Sequence, residues 1–374
     1  MIVMAIDHVR VYAGLPAGGP TAGIFFTRWI THFCAPGFAF FAGASTFLYF
    51  MKSKDVSDVR KFLISRGLLL VLLELTLIRF SWMFNLDYDR YAFTGVIWML
   101  GWSMVILAAF VSLRPMMLTI IGLSMILLQQ VFYYVPNVFP ETVRPYVTYV
   151  WQVFYPVVAP GGQGNILSAS SGLQEFLGLK VFYVLIPWIG VMMTGFGFGQ
   201  VLLMDPQRRN RICIRLGLII ITLFVVIGSI IAIQTPSDLP FVFQLLGQQK
   251  YPPTQMYIFM TLGPLIALFP WAERVKGKLS DGIIAIGRVP MFYYLLHIPL
   301  IHLTAFGVNL LLFGTIHQDW YETAPFVTVP ADQQWGLSLL YLVWIVDVAI
   351  LYFASSWYAA YKSAHPEKLW LKYL

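Results

Sequence analysis

Continuous apolar runs follow one another along almost the entire chain. They cover residues 1–13, 24–51, 61–83, 93–113, 116–136, 181–204, 213–234, 255–272, 283–313 and 336–358. Most of them reach the length of about 20 residues that a helix needs to cross a membrane. Because the runs are continuous and do not alternate between apolar and polar residues, they predict helices rather than the strands of a transmembrane barrel. The pattern therefore predicts an all-α, polytopic transmembrane helical bundle with about ten spans.

Three local patterns refine this prediction. The first run is short, so we expect the first helix to be truncated. The run 283–313 is overlong and contains Pro290 and Pro299, which predicts a kink or a break. The sequence GFGFG at 195–199 lies inside a helical run with no preceding strand, so it indicates close helix packing rather than a dinucleotide-binding loop.

Composition supports a membrane protein. Of 374 residues, 59% are hydrophobic, 17% aromatic and only 11% charged, and the mean hydropathy is +0.74. A soluble domain carries about a quarter charged residues. This chain has too little polar surface for a soluble enzyme, a disordered chain or a nucleic-acid-binding protein.

The basic residues indicate an orientation. The net charge of the chain is +7. Lys and Arg cluster in the loops that follow alternate apolar runs, whereas the loops 14–23 and 314–335 contain neither residue. The positive-inside rule then predicts a multi-pass protein of the cell membrane with a cytoplasmic C-terminus. We interpret residues 1–374 as a single membrane domain with a long extracytoplasmic loop at 137–180. The cysteines Cys34 and Cys213 lie far apart in apolar runs and indicate neither a disulfide framework nor a zinc site.

Ionisable residues inside the predicted spans are candidates for function because they are expensive to place in a membrane. They are Asp7, His8, Arg28, His32, Glu74, Arg79, Arg288, His297, His302 and Asp347. The predicted topology places most of them in the outer half of the bundle, so we expect a polar cluster around a solvated cavity there. The arginines could instead snorkel to headgroups or pair with loop carboxylates. Glu74 and Asp347 could equally be buried structural acceptors, and His302 an interfacial histidine.

Histidines in such a cluster suit proton transfer at neutral pH, because the reference pKa of histidine is about 6.5. The same residues fit either acyl transfer or proton-coupled transport. The chain contains no phosphate-binding loop, no G-x-S-x-G and no H-E-x-x-H. The residues alone leave both functions open.

Five segments together resemble the bacterial relatives of heparan-alpha-glucosaminide N-acetyltransferase, a family of multi-pass membrane acetyltransferases. The segments are MAIDHVR (4–10), FFTRWITHFCAPGFAFFAGAS (25–45), IPWIGVMMTGFGFG (186–199), KYPPTQMYIFMTLGP (250–264) and GRVPMFYYLLHIPLIH (287–302). The resemblance implies a bundle of about ten or eleven spans. It also implies transfer of an acetyl or other acyl group from acetyl-CoA or another acyl-CoA to a sugar amine or hydroxyl, with no metal.

The resemblance also implies roles for individual residues. His8 is similar in position to a functional histidine at the end of the first helix in distant acyltransferases, so we expect it to be the catalytic base, with Asp7 orienting it. Arg28, His32, Arg79, His297 and His302 are expected to line the cavity and to position the acceptor or the phosphates of the donor. Direct transfer and transfer through an acylated histidine both remain open. The expected partners are the lipid bilayer, acyl-CoA and a glycan or amino-sugar acceptor, and a homo-oligomer is compatible with the sequence.

The chain departs from the family pattern at two places. The Leu-Arg-Gly motif that normally begins the first helix is absent, as is a histidine in the first outer loop, where residues 15–24 read LPAGGPTAGI. The absent loop histidine supports one alternative, a non-catalytic membrane protein with a degenerate site. The titratable groups within the spans keep a second alternative open, a transporter or flippase of a polar or lipid-linked glycan.

Overall fold

A computed structural model describes residues 1–16, 21–53, 55–88, 92–156 and 179–372. Helices dominate this part of the chain. In chain order the elements are α1 (Ile2–Tyr12), α2 (Ala22–Trp29), α3 (Cys34–Ser53), α4 (Val56–Leu73), α5 (Arg79–Met83), β1 (Ala92–Thr94), α6 (Val96–Phe110), α7 (Pro115–Leu127), α8 (Arg144–Trp151), β2 (Leu179–Val181), α9 (Trp188–Leu202), α10 (Pro206–Gln234), α11 (Phe241–Leu246), α12 (Gln255–Ala272), α13 (Lys278–Arg288), α14 (Pro290–Phe313) and α15 (Leu337–Ala364). The strands β1 and β2 form one short parallel pair. The all-α prediction is therefore confirmed.

Several helices are long and apolar enough to cross a membrane, which makes the chain a multi-pass membrane protein. Among the described residues there are five: the continuous segment Ala22–Ser53, α10, α12, α14 and α15. A sixth candidate joins α7 to the 3₁₀ segment Gln129–Val138 across a bend of 81°. The helices α6 and α9 are apolar but only 15 residues long. The predicted count of about ten spans stays a prediction, because apolar runs such as 93–113 and 181–204 fold into helices shorter than a full span.

The overlong run 283–313 is interrupted at Pro290, as its sequence predicts. Helix α13 ends at Arg288 and α14 begins with Pro290 in its first turn, whereas Pro299 lies within α14. Proline is tolerated at a helix start because the first amides have no partner inside the helix. The break therefore separates an exposed, amphipathic helix from the apolar α14.

The chain divides into two compact units. The first consists of Met1–Cys34, Thr76–Leu86 and Arg274–Leu374, and the second of Ala35–Leu75 and Asp87–Glu273. In the first unit α1 packs against α14 and α15. Its ends are also held by hydrogen bonds, since Trp344 Nε1 donates to the carbonyl of Ile2 at 3.0 Å and the amide of Trp335 donates to the carbonyl of Ala13 at 3.1 Å.

Glycines set the helix spacing in the second unit. A Cβ on Gly43 of α3 would lie 1.9 Å from the carbonyl oxygen of Met192, and a Cβ on Gly195 of α9 would lie 2.0 Å from that of Phe40. Real side chains cannot approach a backbone so closely, so only glycine allows α3 and α9 to pack at this distance. The prediction that GFGFG is a close-packing face is confirmed.

Glu74, one of the ionisable candidates, has a structural contact in the second unit. It begins a π-helical turn, Glu74–Ile78, and is fully buried. Its Oε2 accepts hydrogen bonds from the amides of Ile97 at 3.0 Å and Trp98 at 3.1 Å. These amides lie in the first turn of α6, so the carboxylate caps that helix.

Half of the long loop 137–180, residues 157–178, lies outside the described residues. Its described part includes α8 and the start of β2. The extracytoplasmic location of this loop and the interpretation of the chain as a single membrane domain stay predictions.

Candidate functional site

The site is built on α1, whose sequence IVMAIDHVRVY places two polar residues, Asp7 and His8, in the middle of an apolar helix. The flanking residues Ile6 and Val9 are buried, with exposed fractions of 4% and 0%. The side chain of His8 is half-buried. The apolar flanks fix α1 in the first unit, and the helix then holds the imidazole of His8 at its middle.

His8 forms a direct contact with a second histidine, His297 of α14. The Nδ1 atom of His8 lies 2.7 Å from the Nε2 atom of His297. The ring centroids are 4.8 Å apart and the ring planes differ by 27°. A distance of 2.7 Å between two ring nitrogens, with the ring centroids 4.8 Å apart, is that of a hydrogen bond between the two imidazoles. His297 is fully buried, so this bond lies away from solvent.

The other nitrogen of His297 determines the direction of this hydrogen bond. His297 Nδ1 lies 2.5 Å from the carbonyl oxygen of Tyr294. A carbonyl only accepts, so Nδ1 carries a proton and donates it. In a neutral imidazole Nε2 then accepts, and His8 Nδ1 must be the donor. The proton arrangement therefore leaves Nε2 of His8 as its basic nitrogen.

Aromatic rings hold His8 from a further side. Its ring lies 4.9 Å from that of Trp82, centroid to centroid, with the planes at 71°. Trp82 also stacks on Tyr12, one turn after His8, at 5.8 Å, and its carbonyl accepts the hydroxyl of Tyr12 at 2.6 Å. An edge-to-face contact of this kind restricts the rotation of the imidazole.

The carboxylate expected to orient His8 is engaged with an arginine. Asp7 Oδ1 lies 2.8 Å from Arg10 Nε, and Arg10 also donates to the carbonyl of Leu15. Consecutive helical residues do not face each other, whereas residues three apart do. The sequence reasoning missed Arg10, although its spacing from Asp7 is a signal for this pair. The role of Asp7 in orienting His8 stays a prediction.

Arg79 and His302, both expected in the cavity, are buried in the first unit with partners of their own. Arg79 Nη1 donates to the carbonyl oxygen of Asn85 and, at 2.9 Å, to its Oδ1. His302 Nδ1 donates to the carbonyl of Ser81 at 3.1 Å, and its ring stacks on Phe84 with a centroid distance of 4.0 Å. These contacts give both residues a structural role at the end of α5. Their role in lining the cavity and contacting substrate stays a prediction.

Arg28 and His32 lie close to α1. Arg28 is in the last turn of α2 and half-buried, whereas His32 lies in the 3₁₀ turn Ile30–Phe33 and is buried. Both segments pack against α1. The structure thus keeps both residues in the unit that contains His8, and their function as lining residues stays a prediction.

Tyr321 supports the same region from the loop before α15. Its hydroxyl donates to the carbonyl of Tyr12 at 3.2 Å and accepts from Asn309 Nδ2 at 2.9 Å. Burial raises the pKa of Tyr321 to about 12, because the charged phenolate would lose its solvation. The hydroxyl therefore stays protonated at neutral pH and continues to donate to the end of α1.

Asp347, also among the ionisable candidates, forms a separate polar contact in the first unit. It is fully buried in α15, and its Oδ1 lies 2.8 Å from the Thr304 hydroxyl. That hydroxyl also lies 3.0 Å from the carbonyl of Leu300. The contact ties α14 to α15, and sequence reasoning gave no partner for Asp347.

The arrangement as a whole can transfer a proton. His8 offers a basic Nε2, a donating Nδ1 and a buried neutral acceptor behind it. In the described part of the chain, no group of three His, Cys, Asp or Glu side chains is arranged to hold a metal ion. The geometry therefore fits general base catalysis by His8.

The comparisons with known proteins identify a family. The family model described as heparan-alpha-glucosaminide N-acetyltransferase, catalytic, matches residues 1–233, and this range includes His8, Arg28, His32 and Arg79. A search of curated proteins finds no match.

Proposed function

The chain belongs to the heparan-alpha-glucosaminide N-acetyltransferase family, and we propose that it is an integral membrane acyltransferase. In this proposal it moves an acetyl or other acyl group from acyl-CoA to a sugar amine or hydroxyl. The reaction takes place on the extracytoplasmic side of the cell membrane, and the C-terminus is cytoplasmic. Family membership supports the reaction class. The donor, the acceptor and the side of the reaction are our proposal.

The single observation that carries the proposal is the contact between His8 and His297. Acyl transfer to an amine or hydroxyl needs a base that removes a proton from the attacking atom. The hydrogen-bond direction in the pair makes Nε2 of His8 the basic nitrogen. The similar position of a functional histidine at the end of the first helix in distant acyltransferases supports the same role. Two separate lines of reasoning thus favour the same residue.

We propose the following steps for direct transfer. The acceptor nitrogen or oxygen attacks the thioester carbonyl while its proton moves to Nε2 of His8. The carbon–sulfur bond then breaks, and the thiolate leaves and takes the proton back from Nε2. Coenzyme A is released as the thiol, the acceptor carries the acyl group, and His8 returns to its starting state. Arg28 and His32 are the proposed contacts to the acceptor or to the phosphates of the donor.

The test is an acyl-transfer assay with the full-length protein in proteoliposomes. Labelled acetyl-CoA is supplied with a panel of amino sugars and neutral sugars, and acylated products are separated from the donor. We expect His8→Gln to lower the rate by about 10²- to 10⁴-fold, the usual contribution of a general base. The matched control is His365→Gln, because His365 also bonds a helix carbonyl, that of Tyr361 at 2.9 Å, but lies at the end of α15.

Equal rates for wild type and His8→Gln would remove His8 from catalysis. Uptake of a labelled sugar into the vesicles without any acylated product would favour the transporter alternative. Absence of both activities with every donor and acceptor in the panel would favour a non-catalytic membrane protein.

A further inference from the structure

We infer that His297 is a positioning residue, which holds His8 in its catalytic tautomer by accepting a hydrogen bond from Nδ1 of His8. This inference rests on the proposed function, and it adds a residue that lies beyond the range matched by the family model. Its basis is the chain of hydrogen bonds from His8 through His297 to the carbonyl of Tyr294.

The position of His297 is rigidly determined. It is fully buried, and its Nδ1 bonds the carbonyl of Tyr294, three residues earlier in the same helix. The rings of Tyr293 and Tyr294 lie 5.9 Å and 5.0 Å from its ring, centroid to centroid. With its donor directed at a carbonyl, Nε2 of His297 remains an acceptor, which selects the Nδ1-protonated form of His8.

The pair also has a consequence for the proton. When Nε2 of His8 accepts a proton from the acceptor substrate, the positive charge stays on the half-buried ring of His8, because desolvation disfavours a charge on the fully buried His297. His297 therefore remains neutral and continues to accept from Nδ1 of His8.

A neutral imidazole takes the place that a carboxylate occupies in many histidine-dependent enzymes. The two arrangements differ in charge. A carboxylate would add a negative charge beside His8, whereas His297 leaves the resting pair neutral. A neutral pair costs less to bury in a membrane than an ion pair does. This difference favours a histidine as the buried partner of His8.

The first experiment is a double-mutant cycle in the proteoliposome assay with His8→Gln, His297→Leu and the double variant. If His297 acts only through His8, His297→Leu lowers kcat by about 10²- to 10⁴-fold in the wild-type background. It then has little further effect on the residual rate of His8→Gln. His297→Gln keeps an acceptor oxygen, so we expect its kcat to be at least tenfold higher than that of His297→Leu. Equal losses in both backgrounds, or a Gln variant no better than Leu, would overturn the inference.

The second experiment does not depend on activity. Solid-state NMR of the ¹⁵N-histidine-labelled protein reports the tautomer of each ring, and the chain has only six histidines. The signals of His8 are identified by their absence in His8→Gln. We expect them to be those of a neutral ring that is protonated at Nδ1. In His297→Leu the signals of His8 should change, and in the control His365→Leu they should not. An Nε2-protonated His8 in the wild-type protein would refute the positioning role.

The two experiments separate the inference from the function on which it rests. An Nδ1-protonated His8 in a protein without acyl-transfer activity would contradict the proposed function and support the pairing. Acyl transfer that depends on His8 but is unaffected by His297→Leu would support the function and overturn the inference. Thermal unfolding of each variant shows whether it is folded. If His297→Leu does not fold, His297→Gln is used in its place.

Discussion

Removal of the Glu74 carboxylate is expected to destabilise the second unit. Glu74 is fully buried and accepts hydrogen bonds from the amides of Ile97 and Trp98. Hydrogen bonds to charged groups contribute about 1.5–3 kcal/mol each, and the cost of burying the carboxylate offsets part of this. We therefore expect Glu74→Leu to lower the free energy of unfolding by about 2–4 kcal/mol. Glu74→Gln keeps one acceptor oxygen and should lower it by about 1 kcal/mol.

A second substitution tests the same cap from its other side. Gly95 immediately precedes α6, and a Cβ there would lie 2.7 Å from Glu74 Oε1 and 2.8 Å from the ring of Phe93. Gly95→Ala should therefore displace the carboxylate and destabilise the protein. The control is Gly307→Ala in α14, because nothing lies within 4 Å of a Cβ at that position. There alanine should be neutral or stabilising, since it favours helix more than glycine does.

The measurement is thermal unfolding of the detergent-solubilised protein, followed by the fluorescence of its 12 tryptophans. The expected order of midpoints is wild type, then Glu74→Gln, then Glu74→Leu. Gly95→Ala should unfold below the Gly307→Ala control. Equal midpoints for Glu74→Leu and wild type, or for the two glycine variants, would refute the capping role.

Two further predictions concern contacts between helices. Asp347→Asn should change the free energy of unfolding by less than about 1 kcal/mol, because the amide can donate to the Thr304 hydroxyl while that hydroxyl donates to Leu300. A loss above about 2 kcal/mol in chemical unfolding would show that Asp347 must be an acceptor. Gly43→Ala should cost about 1–3 kcal/mol or prevent folding, because its Cβ would lie 1.9 Å from the Met192 carbonyl oxygen. An unfolding midpoint equal to that of wild type would contradict this close packing.

Much of the fold follows from the sequence because lipid imposes simple rules. Long apolar runs must be helical to satisfy their backbone groups, and this predicted the all-α class. Local chemistry also predicted the break at Pro290 and the close packing of GFGFG. The number of spans was harder to predict, because an apolar run does not show where a helix ends. The run 61–83, for example, contains the π turn at Glu74, and the run 93–113 forms a helix of 15 residues.

The candidate site was predicted only in part, for a different physical reason. His8 was recognisable because a histidine inside an apolar helix is costly. Its contact with His297 was not predictable, since it depends on the packing of helices 289 residues apart in sequence. Asp7 was favoured as a partner because it is adjacent in sequence, yet neighbours on a helix point in different directions. Arg10, three residues away, contacts Asp7 in the structure, and the orienting role of Asp7 stays a prediction.

The way α1 is held has a consequence for biosynthesis. The tryptophan that bonds the carbonyl of Ile2 follows it by 342 residues in the chain. His297 and the amide of Trp335 also belong to the last third of the chain. Insertion of the helices before α14 can therefore proceed without a formed histidine pair, which assembles only after α14 has been synthesised. A premature stop before α14 would leave α1 without its contact to His297.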